Sequence, residues 1–306
     1  MIEEFYSKSG LTLQKVAEEL LLGEVGQRIP KISDLTEKYQ VGRGTIQSAL
    51  KKLDEAKCIK LESRGHLGTF LREKDLTKLL QYSGIGSMTG VMPLPYSKKY
   101  EGLATGITSE FEKLNIPLNI AFMRGARPRL QGVIEGRYDF AIVSEYSAIK
   151  EMAENENLML SVSFGPQTYV SGHAVILSDK TKTVMEDGMK IGIDSNSFDQ
   201  QILTYAEAEG KKVEFIELNY MHLLEHLKAK TIDATVWNMD EREIARFKVQ
   251  PLHSKKAIDF EKEMSKAVIV IRRDNKKLHY ILDLLSVFNI HDVQAKVESG
   301  DLMPKY

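Results

Sequence analysis

The strongest constraint on this chain is a pattern that it uses twice. Gly136-Arg137-Tyr138-Asp139-Phe140-Ala141-Ile142-Val143 and Lys230-Thr231-Ile232-Asp233-Ala234-Thr235-Val236 each pass from a polar turn through an aspartate into an apolar strand. The segments leading into them repeat as well. Upstream of the first, 84–92, 97–114, 118–123 and 127–135 read strand, helix, strand, helix by period, with Leu103, Ile107 and Phe111 on the inner face of the first helix. Upstream of the second, 190–194, 198–209, 213–218 and 221–230 read the same way. Alternation of this kind builds α/β layers, so the repeat predicts two similar lobes. Segments 158–164 and 169–177 are extended crossovers. Segment 267–272 reads as a returning strand, followed by helices at 278–288 and 293–299. Lobe I then spans about 84–165 and 265–306, and lobe II about 173–240.

The first seventy-odd residues have another character. Leu13, Val16, Ala17, Leu20 and Leu21 recur at helical spacing over 11–22, before Gly23. A second helix is expected to start with Ser33 as its cap, with Asp34 and Glu37 in the positive end of the dipole and Leu35 inward, and to end near Tyr39-Gln40. Val41-Gly42 makes a turn. A third helix runs from about Arg43 to Ala56 with Ile46, Ala49, Leu50 and Leu53 in one stripe. Two helices joined by a tight glycine-containing turn match a helix-turn-helix, whose second helix enters the major groove of DNA. Arg43, Thr45, Gln47 and Ser48 are placed to reach base edges, and Lys51 and Lys52 to reach phosphates. Strands at 59–62 and 69–72 around Ser63–Gly68 form a hairpin wing, with Arg64 and His66 at a tip that reaches backbone or minor groove. The chain's net charge is −1, yet Lys38–Arg64 holds seven basic residues against three acidic ones, a local +4 that suits an anionic partner.

Gly26-Gln27-Arg28-Ile29-Pro30, Ser33-Asp34-Leu35, Val41-Gly42-Arg43-Gly44-Thr45-Ile46, Ala49-Leu50-Lys51-Lys52-Leu53 and Gly68-Thr69-Phe70-Leu71 together resemble the GntR-type winged helix. Three departures bear on the operator sequence. That family usually has a serine cap where Gly42 stands and a second arginine where Gln47 stands, and its wing is one residue shorter. The rest of the chain resembles the type 2 periplasmic-binding-protein fold that LysR-type regulators use to bind effectors. Joined in this order, the two parts resemble YhfZ-type bacterial regulators. The resemblance implies an α/β chain overall: a winged helix-turn-helix of α+β class (1–75), a linking helix (76–83) and a two-lobed effector domain (84–306). It also implies double-stranded DNA and a small-molecule effector as partners, acting on a homodimer.

In open sheets ligands gather at the carboxyl ends of strands. The loops there offer Ser97, Arg124, Arg127 and Ser144 on lobe I, and Ser195, Asn196, Ser197 and Trp237 on lobe II, with Ser171-Gly172-His173 behind the cleft. Serines beside helix starts and arginine forks suit an anion, although a serine there is as readily a plain cap. His222-Leu223-Leu224-Glu225-His226 spells an inverted zinc-protease signature, but it lacks a third ligand and falls on an expected lobe-II helix, so no metal is assigned. No catalytic residue or cofactor is assigned either. An enzyme on the same two-lobed fold, with the winged helix as an accessory, is the alternative; turnover by the C-terminal domain would reveal it. The single cysteine, Cys58, rules out an internal disulfide and reads as a small buried side chain. The opening Met1–Tyr6 is acidic and lacks signal-peptide order, and no apolar run nears the ~18 residues of a membrane span. These features point to the cytoplasm and away from a membrane.

Overall fold

In the computed structural model, which describes residues 7–240, 244 and 246–306, helix α1 (Lys8–Leu22) starts where the Ser7 side chain accepts a hydrogen bond from the Gly10 amide. The acidic opening Met1–Tyr6 lies outside the described residues. The chain divides into one unit that ends at Met88 and takes in Glu112–Pro117, and another of Thr89–Phe111 with Leu118–Tyr306.

In the first unit α1 buries Val16, Ala17, Leu20 and Leu21. Helix α2 (Ile32–Tyr39) begins one residue before Ser33. Its cap is Lys31, with no side-chain cap bond, and the Ser33 hydroxyl donates to the neighbouring Asp34 carboxylate instead. The expected serine cap is therefore absent. Glu19 of α1 ties the two helices by accepting from Lys38 and Tyr39. Helix α3 (Arg43–Glu55) buries Ile46, Ala49, Leu50 and Leu53, as its stripe requires. Strands β1 (Ile59–Ser63) and β2 (Thr69–Lys74) pair antiparallel. A 3-10 turn at Gly65–Leu67, flanked by positive φ at Gly65 and Gly68, takes up the extra wing residue. Helix α4 (Leu76–Tyr82) covers the expected linker but packs on α1, burying Leu79 and Leu80.

The second unit holds two five-stranded sheets. The first is ordered β4 (Leu118–Phe122), β3 (Met88–Met92), β5 (Phe140–Ser144), β12 (Ala267–Arg272), β6 (Leu158–Ser163). The second is ordered β9 (Glu214–Glu217), β8 (Lys190–Ile193), β10 (Ala234–Asn238), β7 (His173–Leu177), β11 (Lys248–Pro251). Read this way the two orders correspond strand for strand. In each sheet the fourth strand runs antiparallel to both neighbours and is the one laid down directly after the chain passes between the lobes. This is the topology of the type 2 periplasmic-binding-protein-like fold. The sequence repeat has a physical basis too: Asp139 Oδ2 accepts from the Thr89 amide at 2.7 Å, and Asp233 Oδ2 from the Lys190 amide at 2.8 Å. Asp139 thus fastens β5 to β3, and Asp233 fastens β10 to β8.

Several elements differ from expectation. β3 starts at Met88 rather than Gly84. Ser144-Glu145-Tyr146 is not a loop: Ser144 caps helix α7 (Glu145–Glu154), accepting from the Ser147 amide. β6 and β7 are crossover segments that also join a sheet each. Segment 221–230 is a 3-10 turn (Tyr220–His222) followed by a short α9 (Leu223–Lys228). The helix expected over 278–288 divides into α11 (Lys276–Asp283) and the start of α12 (Val287–Ser299), because Ser286 caps the latter. β11 and helix α10 (Lys255–Met264) were not anticipated. They carry lobe II past residue 240, and Ala257 and Met264 join its core.

Helix α5 (Lys98–Lys113) lies on α12 through Gly102 and Gly106. A Cβ at Gly106 would fall 2.9 Å from the Ile290 carbonyl oxygen, and one at Gly102 2.9 Å from Gln294 Cα. Gly106→Ala is expected to lower unfolding stability by roughly 1–3 kcal/mol, because backbone must give way. Gly44→Ala, with open space around its Cβ on α3, is expected to raise it by up to about 1 kcal/mol. Urea unfolding of both variants checks the contrast.

Candidate functional site

In the first unit, Arg43, Gln47, Ser48, Lys51 and Lys52 are exposed along one side of α3, and Thr45 is half-buried at its start. Gly42 leaves the helix without a side-chain cap. Lys51 lies 3.7 Å from Glu55; an exposed pair of this kind is worth little and leaves the ammonium available. On the wing His66 is exposed, but Arg64 turns back along the strand. It stacks 4.5 Å from the Phe70 ring and shares Glu62 with Arg72. The structure adds two cations that the sequence reading passed over. A groove between α2, α3 and the wing is lined by Arg28, Lys31, Arg43 and Thr69. Arg28 lies across Gly68, where a Cβ would come 2.5 Å from its Nε.

In the second unit a cleft opens between the lobes at the carboxyl ends of both sets of strands. About 70 Å³ of it is open to the centre of a water-sized sphere, room for roughly five waters at ~10–15 Å³ each. Of the expected residues only Arg124 and Ser197 line it. Arg124 donates across the cleft mouth to Asn219. Ser197 precedes helix α8 (Phe198–Ala208) and makes no side-chain cap bond. The others have structural tasks or lie outside. The Ser97 hydroxyl accepts from the Tyr100 amide. Arg127 stands 4.5 Å over the Phe198 ring. The Ser195 amide donates to Glu217, and the Asn196 amide to Asp194. Trp237 is buried under Tyr220, ring on ring at 3.9 Å and 7°. Ser144 donates to Asp199 at 2.8 Å. His173 is a cleft wall rather than a residue behind it.

The cleft's principal cation is Arg129 of helix α6 (Ala126–Ile134), 3% exposed. Its Nε donates to the Ile142 carbonyl, one Nη to the Met123 carbonyl at 2.7 Å and the other to the Tyr169 hydroxyl at 2.9 Å. Its signal was present in the sequence: it falls three residues after Ala126 and four before Val133, on the buried stripe of α6. From lobe II, Asp199 reaches over to accept from the hydroxyls of Ser144 and Ser147. Asp194 is filled by the amides of Asn196 and Tyr220. Elsewhere, His222 faces Glu225 and His226 faces Thr231, and among the described residues no cluster suits a metal ion.

A family model described as the YhfZ C-terminal domain matches residues 75–306, and a helix-turn-helix domain model matches residues 24–71. The chain belongs to the YhfZ family. The YhfZ protein of Escherichia coli (strain K12) is 31% identical over 312 residues, covering 100% of each chain. YhfZ from Shigella flexneri, known from a crystal structure and also 31% identical, superposes with a TM-score of 0.63, covering 75% of this chain and 97% of that one. The methionine binding protein MetQ, 14% identical, aligns at a TM-score of 0.48 over 72% of this chain and 98% of its own. The helix-turn-helix match covers the groove and the exposed side of α3, and the YhfZ domain match covers the whole cleft. Among the described residues no helix is long and apolar enough to cross a membrane.

In this YhfZ-family cleft, burial lifts the Asp199 carboxyl above its ordinary range, against the hydroxyl of Ser144 and the charges of His173 and Arg129. A raised carboxyl holds its proton more tightly folded than unfolded. Its favourable contribution is complete below the ordinary value of 3.8 and is lost as pH rises through the raised one. Asp199→Asn keeps the shape without the charge. Its Tm is expected to exceed that of the parent at neutral pH, the gap closing as pH falls toward 3.8. A pH series of thermal melts checks this.

Proposed function

We propose that the chain is a ligand-responsive transcriptional regulator. Its winged helix binds double-stranded DNA, and its cleft binds a small metabolite through an anionic group. One observation carries the DNA half: the polar side of α3 from Arg43 onward is exposed while the apolar side is fully used in the core. On this reading Arg43, Thr45, Gln47 and Ser48 meet base edges. Lys51 and Lys52, joined by Arg28 and Lys31 from the groove, meet phosphates, and His66 at the wing tip reaches the backbone. Arg64 contributes less, since its charge is held by Glu62. For the ligand half the support is Arg129, a buried guanidinium facing the cleft. A buried cation that forms no ion pair favours the anionic group of an incoming ligand.

Binding in the cleft favours one arrangement of the lobes, and in a homodimer this changes how two winged helices meet their half-sites. Such a regulator works in the cytoplasm. Arg43→Ala is expected to cost about 1–3 kcal/mol on the preferred site and to relax base choice. Lys51→Ala is expected to weaken all sequences alike and to flatten the salt dependence by about one unit. Selection from random DNA, followed by salt titration of each variant, checks both; equal effects of the two changes would count against the assigned roles. Sedimentation showing a monomer both free and on DNA would remove the dimer.

A further inference from the structure

Two opposite charges are left over in the cleft. Of the five N–H groups of the Arg129 guanidinium, three are taken by the Ile142 and Met123 carbonyls and the Tyr169 hydroxyl. On Asp199, one carboxylate oxygen accepts from both Ser144 and Ser147, and the other has no hydrogen-bond partner among the described residues. Neither group forms an ion pair there, with the other or with anything else among the described residues. They are nonetheless near enough that Arg129 helps to hold the Asp199 proton off. Both line the same small space. The buried His173 ring borders it as well, with its Nδ1 turned to the Glu261 carboxylate at 3.6 Å.

A simple anion would satisfy Arg129 but place its charge in the same small space as the Asp199 carboxylate, where like charges repel more strongly than in bulk water. A simple amine would reverse the fault. We propose that the cleft ligand is a small zwitterion, its anionic group held by Arg129 and Tyr169 and its ammonium held by Asp199. The available space suits a molecule of the size of a small amino acid. Tyr100, packed edge-on against Tyr169 at 5.2 Å, provides an aromatic wall that tolerates an ammonium or its methylated form. This assignment rests on the reading of the cleft as the ligand site.

The test uses the full chain and probes matched in size. Propionate carries the anion alone, propylamine the cation alone, and alanine, glycine betaine and 2-aminoethylphosphonate carry both. At millimolar concentration at least one of the last three is expected to raise Tm and to bind by calorimetry, while propionate and propylamine do neither. Which one binds tells a primary from a quaternary ammonium and a carboxylate from a phosphonate. In Asp199→Asn, affinity for that compound is expected to fall at least about tenfold although the variant melts no lower than the parent, which a merely structural role would not produce. Arg129→Lys, which keeps the charge but loses the fork, is expected to weaken it also. Binding of propionate or inorganic phosphate as tight as that of the zwitterions, or zwitterion affinity unchanged in Asp199→Asn, overturns the charge assignment and leaves the cleft as a ligand site. Failure of every charged probe also overturns it; if neutral sugars fail as well, the reading of the cleft falls with it.

Discussion

The architecture of the second unit depends on two passages of the chain between its lobes. β7 is the first strand of lobe II, laid down as the chain leaves lobe I, and β12 follows lobe II yet lies in the sheet of lobe I. Each of these strands is bonded on both sides and its apolar residues are buried throughout, so lobe I is completed only after the chain has built lobe II and returned. The two passages are bonded to each other. The Phe164 amide donates to the Ala267 carbonyl, the Tyr169 amide to the Ser265 carbonyl, and the Ala267 amide to the Thr168 hydroxyl. The buried Lys99 ammonium, paired with Glu298, holds the Gln167 carbonyl, and Gln294 holds that of Thr168. The lobes thus meet over a short, well-supported base, and the cleft is the space that remains.

Much of this was legible in the chain because it depends on period and on local chemistry. The stripe Ile46, Ala49, Leu50, Leu53 specifies α3 without tertiary information. Asp139 and Asp233 mark the internal repeat because β3 and β8 are fastened in the same way. What escaped was decided by contacts between distant segments. Helix α10 is charged along most of its length and gives only Ala257 and Met264 to the core, so its pattern is faint. Helix α7 was hidden because Ser144 ends a strand as well as opening a helix. Arg124 and Arg127 stood in a loop where ligands gather, whereas Arg129 stood on an apolar stripe. An arginine at such a position is stable only if the fold supplies carbonyls and a hydroxyl around it, and no local pattern announces that.

The DNA-facing side illustrates how neutralisation within a protein refines a count of charges. The +4 of the segment from Lys38 to Arg64 is unevenly available: Lys38 is held by Glu19, Lys60 by Glu73 and Arg64 by Glu62. Arg43 and Lys52, with Lys31 and Arg28 from outside the main motif, remain on or beside the groove. The positive field is narrower than composition implies and is centred on the start of α3.

Phe198 has a kinetic consequence. Its ring begins the lobe-II helix that carries Asp199, yet it is packed in the core of lobe I, while Tyr146 of lobe I packs on the core of lobe II beside Phe260. Parting the lobes returns the buried Phe198 ring to water at about 1.5–3 kcal/mol and uncovers the half-buried Tyr146 as well. An open molecule is then a minor species, and any molecule enclosed by the closed lobes would leave no faster than that species forms.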